Sequence, residues 1–311
     1  MFFPPEAFGS VFSSDPDEDL DLKASSHWDV ATRYHEFKGK RVSQNLIRKL
    51  RALSAQAILD RAQEVLGSVV HPSQRQISTL SDIPPQATDV DFDLEETLEL
   101  SPLALKEAQR AGSSRFPLTD QDLWMSYALR RQQPLVMSVD TSLSMTGEKL
   151  ALTAVAIAVV LLEFPEDPIG IVAFENEAKI LKHPNERISI PLLVERFLDV
   201  PAQGYTHLED GMRCALRLVQ EVQKMGQGKV TSTVLLTDGK YTAGKDPAYL
   251  ARSFPHLVVL KMGTETSSRE LCLEMAKKGN GALREVEDLN SLPKIMYGVV
   301  KDLIRGRRSS S

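Results

Sequence analysis

The chain has 311 residues, 42% of them hydrophobic and 25% charged, which supports a large core and excludes a wholly disordered polymer. A formal net charge of −5 gives no general attraction for nucleic acid. The two cysteines, Cys214 and Cys272, lie in separate segments and exclude a disulfide scaffold or a thiolate zinc ribbon, as in a reducing compartment.

Residues 1–26 are expected to be a disordered acidic tail, because the first 22 carry six acids and no base. Met1 to Pro5 has neither the basic nor the apolar region of a signal peptide, so a cytoplasmic protein is expected. Residues 27–133 read as a smaller helical N-terminal region with a linker. Within it, Arg33 to Arg61 carries eight Lys/Arg against two acids, while Leu46, Leu50, Leu53 and Ala57 recur at helical spacing. That pattern is an amphipathic helix with a basic outer face.

His71 to Asp91, with Pro84-Pro85, reads as the linker. Asp89, Asp91 and Asp93 imitate the start of a calcium loop, but Leu94 and Leu100 stand where glycine and a bidentate glutamate belong. A helix is expected from the N-cap Ser101 to Gly112, and a second from Thr119 or Asp120 through Trp124 to about Gln132.

From 134 to 305 the rhythm becomes strand–helix alternation. Apolar strands are expected at 134–140, 169–174, 230–238 and 256–261, with shorter ones at 177–181 and 282–286. The helix Gly147–Phe164 includes the 13-residue apolar run Leu150–Leu162, which is shorter than the ~20 residues of a spanning helix and suits a large interior. Further helices are expected near 190–198, 208–224, 247–253, 267–278 and 289–304. The fold class is therefore α/β, a doubly wound, mostly parallel sheet with helices on both faces, expected to fold independently of what precedes it. Residues 306–311 form a basic tail.

In such sheets ligands sit beyond the carboxyl ends of the strands. Three short pieces stand there: Asp140-Thr-Ser142-Leu-Ser144, the loop Gly204-Tyr-Thr206-His207, and Thr237-Asp238-Gly239. Alternate positions of an extended turn point one way, so Asp140, Ser142 and Ser144 can converge on one ion. Two carboxylates and three hydroxyls make an oxygen-only set suited to Mg2+ or Mn2+. Hydroxyl ligands leave such an ion with unmet positive charge, ready for an incoming carboxylate. Gly239 to Lys245 imitates a phosphate loop, but Asp246 follows where Ser or Thr belongs. His207 has no paired nucleophile in the sequence, and neither GxSxG nor HExxH occurs.

At these residues the chain resembles the von Willebrand factor type A domain, whose metal-ion-dependent adhesion site (MIDAS) has the pattern DxSxS, then Thr, then Asp. The resemblance implies metal contacts by Ser142, Ser144 and Thr206, with Asp140 and Asp238 acting partly through water. Leu143 departs from the glycine often found between the serines. Together with the helical region and the acidic stretch Asp93–Glu99, the arrangement resembles bacterial CoxE-like proteins. That resemblance implies a non-enzymatic adaptor to a MoxR-type AAA+ ATPase and a client protein, with no nucleic acid and no membrane insertion. The alternatives are the type A subunit of a magnesium- or cobalt-chelatase, which normally has an ATPase-like domain or a long acidic linker before it, and an adhesion receptor.

Overall fold

The computed structural model describes residues 26–39, 43–69, 76–85, 87–100, 119–129, 133–165, 167–202, 204–224 and 230–304. The expected helix 101–112, the basic tail 306–311 and all but the last residue of the acidic tail lie outside them. The described residues fall into two compact units: those within 70–132 form one, and those before and after that span form the other.

The larger unit begins with two helices. Helix α1 (His27–Gly39) is started by a reciprocal cap, in which Ser26 Oγ accepts from Asp29 N at 3.1 Å and Asp29 Oδ2 accepts from Ser26 N at 3.0 Å. Helix α2 (Gln44–Gly67) is capped by Ser43, whose hydroxyl accepts from Leu46 N. Of the apolar stripe read from the sequence, Leu50 and Ala57 are buried and Leu46 and Leu53 half-buried, and Ile58 joins the covered side of α2.

A six-stranded sheet follows. Its strands are β4 (Leu135–Asp140), β5 (Ile169–Phe174), β6 (Ala178–Lys182), β7 (Ser232–Thr237), β8 (His256–Met262) and β9 (Leu283–Val286). The order is β6-β5-β4-β7-β8-β9, parallel throughout except for the antiparallel edge strand β6. Strands β4, β5 and β8 are buried at every residue, as a sheet covered on both faces requires.

Alternate side chains feed two cores. Leu135, Met137 and Val139 join Ile169, Val234 and Val258 beneath α4 (Glu148–Glu163), α5 (Ile190–Leu198) and α9 (Leu292–Ile304). Val136, Val172 and Val259 face α6 (Leu208–Lys224), the short α7 (Ala248–Ala251) and α8 (Arg269–Lys278). On this second face α6 approaches so closely at Gly211 that a Cβ there would lie 2.4 Å from the buried Phe174 ring.

All residues of α4 from Leu150 to Leu161 are buried. The reason lies outside the sheet: α2 packs across α4 and α5 and adds a further helical layer. The expected boundary at 134 is corrected accordingly. The helical N-terminal region exists as α1 and α2, but its hydrophobic surface is continuous with the α/β core. Its basic side is used internally as well. Lys38 Nζ donates to the Asp199 carbonyl at 2.6 Å, Arg51 pairs with Asp199 and Glu195, and Arg61 lies over the Trp28 ring and bonds Asn290.

The smaller unit differs from the expected linker and helices. It holds an antiparallel sheet of β1 (Gln76–Thr79), β2 (Ala87–Phe92) and β3 (Trp124–Leu129) in the order β1-β3-β2, with α3 (Leu94–Leu100) after β2. The cap signal at Thr119 is real but closes only a turn, Thr119 Oγ1 donating to Asp122 Oδ2 at 2.7 Å. Residues 124–129 then pair on both sides as the central strand. In the acidic stretch, Asp93 caps α3 through a 3.1 Å bond from Glu96 N. Among the described residues no helix is long and apolar enough to cross a membrane.

Candidate metal centre

The neighbouring central strands β4 and β7 end side by side and place the two acids. Asp140 is the last residue of β4 and is fully buried; Asp238 follows β7 and is 5% exposed. Both oxygens of the Asp140 carboxylate are held. Oδ1 accepts from Ser142 N at 2.9 Å, and Oδ2 accepts from the Thr237 hydroxyl at 2.8 Å. Burial pushes the Asp140 carboxyl up to about 6, and the nearby Asp238 charge acts the same way, against the hydrogen bonds from Ser142 and Thr237.

After β4 the chain makes a single 3-10 turn, Leu143–Met145, pinned by the buried Met145. The turn brings the Ser142 and Ser144 hydroxyls within 3.2 Å of each other, Ser142 buried and Ser144 exposed. The Thr206 loop is laced to both acidic loops. Leu143 N donates to the Gly204 carbonyl at 3.3 Å, and Thr242 N and Ala243 N donate to the Thr206 carbonyl at 3.0 and 3.3 Å. Thr206 N in turn donates to Thr242 Oγ1 at 3.0 Å. The structure thus gathers Asp140, Ser142 and Ser144 in direct contact, and joins the loops of Thr206 and Asp238 to them through the backbone.

Several residues that hold this arrangement are not legible as site residues from the sequence. Thr237 links the two acidic loops, because its hydroxyl also accepts from Gly239 N at 3.0 Å. Gly239 has φ +78°, and a Cβ there would sit 2.6 Å from Cys272 Sγ, so the turn after Asp238 needs glycine. Glu175 and Asn176, after β5, hold the Thr206 loop: the Glu175 carboxylate accepts from Gly204 N and Asn176 Oδ1 from Tyr205 N. Glu209, in the first turn of α6, anchors the loop beyond Asp238. Its carboxylate accepts from the Tyr249 hydroxyl, from Lys245 N at 2.8 Å and from Arg213, which hold it down at about 2.

The remaining sequence candidates have structural duties. Lys245 N in the phosphate-loop imitation already donates to a carboxylate, which leaves no anion cradle there. The His207 ring Nδ1 lies 3.1 Å from the Asn176 carbonyl, and the His207 carbonyl receives the first backbone bonds of α6. Cys272 is fully buried and its thiol is pushed up to about 12 by that burial; Cys214 is buried too.

Among the described residues no group of three or more His, Cys, Asp or Glu side chains could hold a metal ion. A cation at the strand ends would therefore depend on the hydroxyls. The donor chemistry fits a small, hard divalent ion, with oxygens only, two hydroxyls adjacent, and a buried carboxylate that a cation would help keep ionised.

Residues 135–240 match the von Willebrand factor type A domain family. The matched span runs from the start of β4 through β7 to just beyond Asp238, and so takes in Asp140, Ser142, Ser144, Thr206 and Asp238. No curated protein matches the chain in sequence. Among solved structures, an aerotolerance-related membrane protein from Bacteroides fragilis is similar at 19% identity, covering 55% of this chain and 99% of its own, with a TM-score of 0.44. Proximal thread matrix protein 1 from the mussel byssus, with a zinc occupied MIDAS motif, aligns at 18% identity over 55% of this chain and 48% of its own, TM-score 0.47. A von Willebrand factor type A protein from Catenulispora acidiphila aligns at 16% identity over 58% and 44%, TM-score 0.44.

Proposed function

We propose that this chain is a metal-dependent protein-interaction module rather than an enzyme. The observation that carries the reading is the hydroxyl-rich, oxygen-only set at the ends of β4 and β7, on three loops laced into one surface. Ser142, Ser144, Thr206, Asp140 and Asp238 would hold Mg2+ or Mn2+, directly or through water. The ion would supply a Lewis-acidic position to which a carboxylate of a partner binds. Within this reading the partner is a MoxR-type AAA+ ATPase acting on a client protein in the cytoplasm, which follows from the CoxE-like order of segments.

Mn2+ titration followed by electron paramagnetic resonance tests the module. One bound ion per chain is expected, with binding weakened at least about tenfold in Asp140→Ala and Asp238→Ala. Asp238→Ala removes little core volume, so its stability cost should stay within the ordinary ~0.5–3 kcal/mol of a point substitution. Folded variants that bind Mn2+ like the wild type would overturn the reading. Association with the ATPase should be released by EDTA.

A further inference from the structure

The rim of the metal centre is apolar in a way that folding does not require. Among the large hydrophobic residues exposed in the described structure, Tyr205 at 69% and Leu143 at 61% are the two most exposed, and Tyr241 adds a third at 40%. Each adjoins a site residue or its loop. Leu143 lies between Ser142 and Ser144, Tyr205 directly precedes Thr206, and Tyr241 lies between Asp238 and Thr242. The same backbone bonds that lace the loops bring the three together: Leu143 N to the Gly204 carbonyl, and Thr242 N to the Thr206 carbonyl.

Other groups hold the loops of Leu143 and Tyr205 in place. The turn at 143–145 is anchored by Met145, which is fully buried, and the Tyr205 backbone by Asn176. Exposed apolar surface gathered around one polar centre marks an interaction site. Tyrosines suit its edge, because the ring buries area while the hydroxyl stays hydrated. A bare carboxylate would use only the centre, so the collar adds selection for what flanks the carboxylate.

We propose that Leu143, Tyr205 and Tyr241 form a specificity collar for a partner segment whose Asp or Glu is flanked by large apolar side chains. This rests on the metal-module reading. The collar explains why a leucine stands between the two serines: it widens the apolar rim without removing a ligand oxygen.

The test uses the full chain with saturating Mn2+ and three short synthetic peptides, with cores Phe-Asp-Leu, Ser-Asp-Ser and Phe-Asn-Leu. The Phe-Asp-Leu peptide is expected to bind about tenfold or more tighter than Ser-Asp-Ser, and Phe-Asn-Leu not measurably. The double variant Leu143→Ser/Tyr205→Ser should erase the preference while Mn2+ affinity stays at the wild-type value. If that variant does not fold, Tyr241→Ser, at a side chain open to solvent, should reduce the preference. Equal affinity for the two Asp peptides, or a preference that survives in a folded variant, overturns the collar and leaves the metal module standing. Absence of Mn2+ binding in the wild type removes both. A peptide of residues 1–22 that outcompetes Phe-Asp-Leu would assign the collar to the chain's own acidic segment and overturn the partner.

Discussion

Thr237 shows how the centre is held. Its hydroxyl donates to Asp140 and accepts from Gly239 N, so one oxygen fixes both the buried carboxylate and the turn that carries Asp238. Thr237→Val keeps the shape and removes both bonds. Leaving a buried acceptor and a buried N–H unpaired should cost about 1–3 kcal/mol in chemical denaturation. Because the Asp140 carboxylate also loses its orientation, the proposed Mn2+ affinity is expected to fall about 10- to 100-fold, whereas Thr237→Ser should retain most of it. Thr237 and Asp140 are 97 positions apart, and this is why the link is not readable from spacing. Asp140, Ser142 and Ser144 are readable, since they share one turn and alternate in direction. Thr206 and Asp238 are readable because each stands at a strand end or helix start. The grip of Glu209 on Tyr249, across 40 residues, belongs with Thr237.

At the scale of elements, the buried parallel strands announce themselves as short apolar runs, α4 as a longer one, and the other helices by apolar residues at helical spacing. What spacing leaves open is the partner. The stripe on α2 shows that one side is buried, and only the structure shows it lying on α4 and α5. Strand β3 is missed for a related cause: the Thr119 turn mimics a helix start, while its two pairings are with segments far along the chain. Helix α1 carries its own acid sensitivity. His35 is held down to about 4 by burial and by Lys38, and its Nε2 is buried without a hydrogen-bond partner among the described residues. An unfolded chain takes up that proton near 6.5, so between about pH 6.5 and 4 the unfolded state binds more protons and stability falls on acidification. The full effect of this one group is roughly 3 kcal/mol, reached near pH 4. Urea unfolding across that range should show a flatter dependence in His35→Gln.

For the larger unit as a whole, the α1–α2 pair covers apolar surface of the α/β body. Removing residues 26–69 would strip the outer side of α4, a helix with an unbroken buried run from Leu150 to Leu161. A fragment of residues 133–304 is therefore expected to aggregate, or to unfold cooperatively at least about 3 kcal/mol below the full chain, because several buried Leu, Ile and Val side chains would face water. A monomeric fragment with undiminished stability would show that α2 merely rests on the surface. The arrangement also bears on how the chain is made. A ribosome releases α1 and α2 before α4, so the most apolar of the described helices emerges after the segments that cover it. The order of synthesis gives α4 an apolar surface to pack on as soon as it is made.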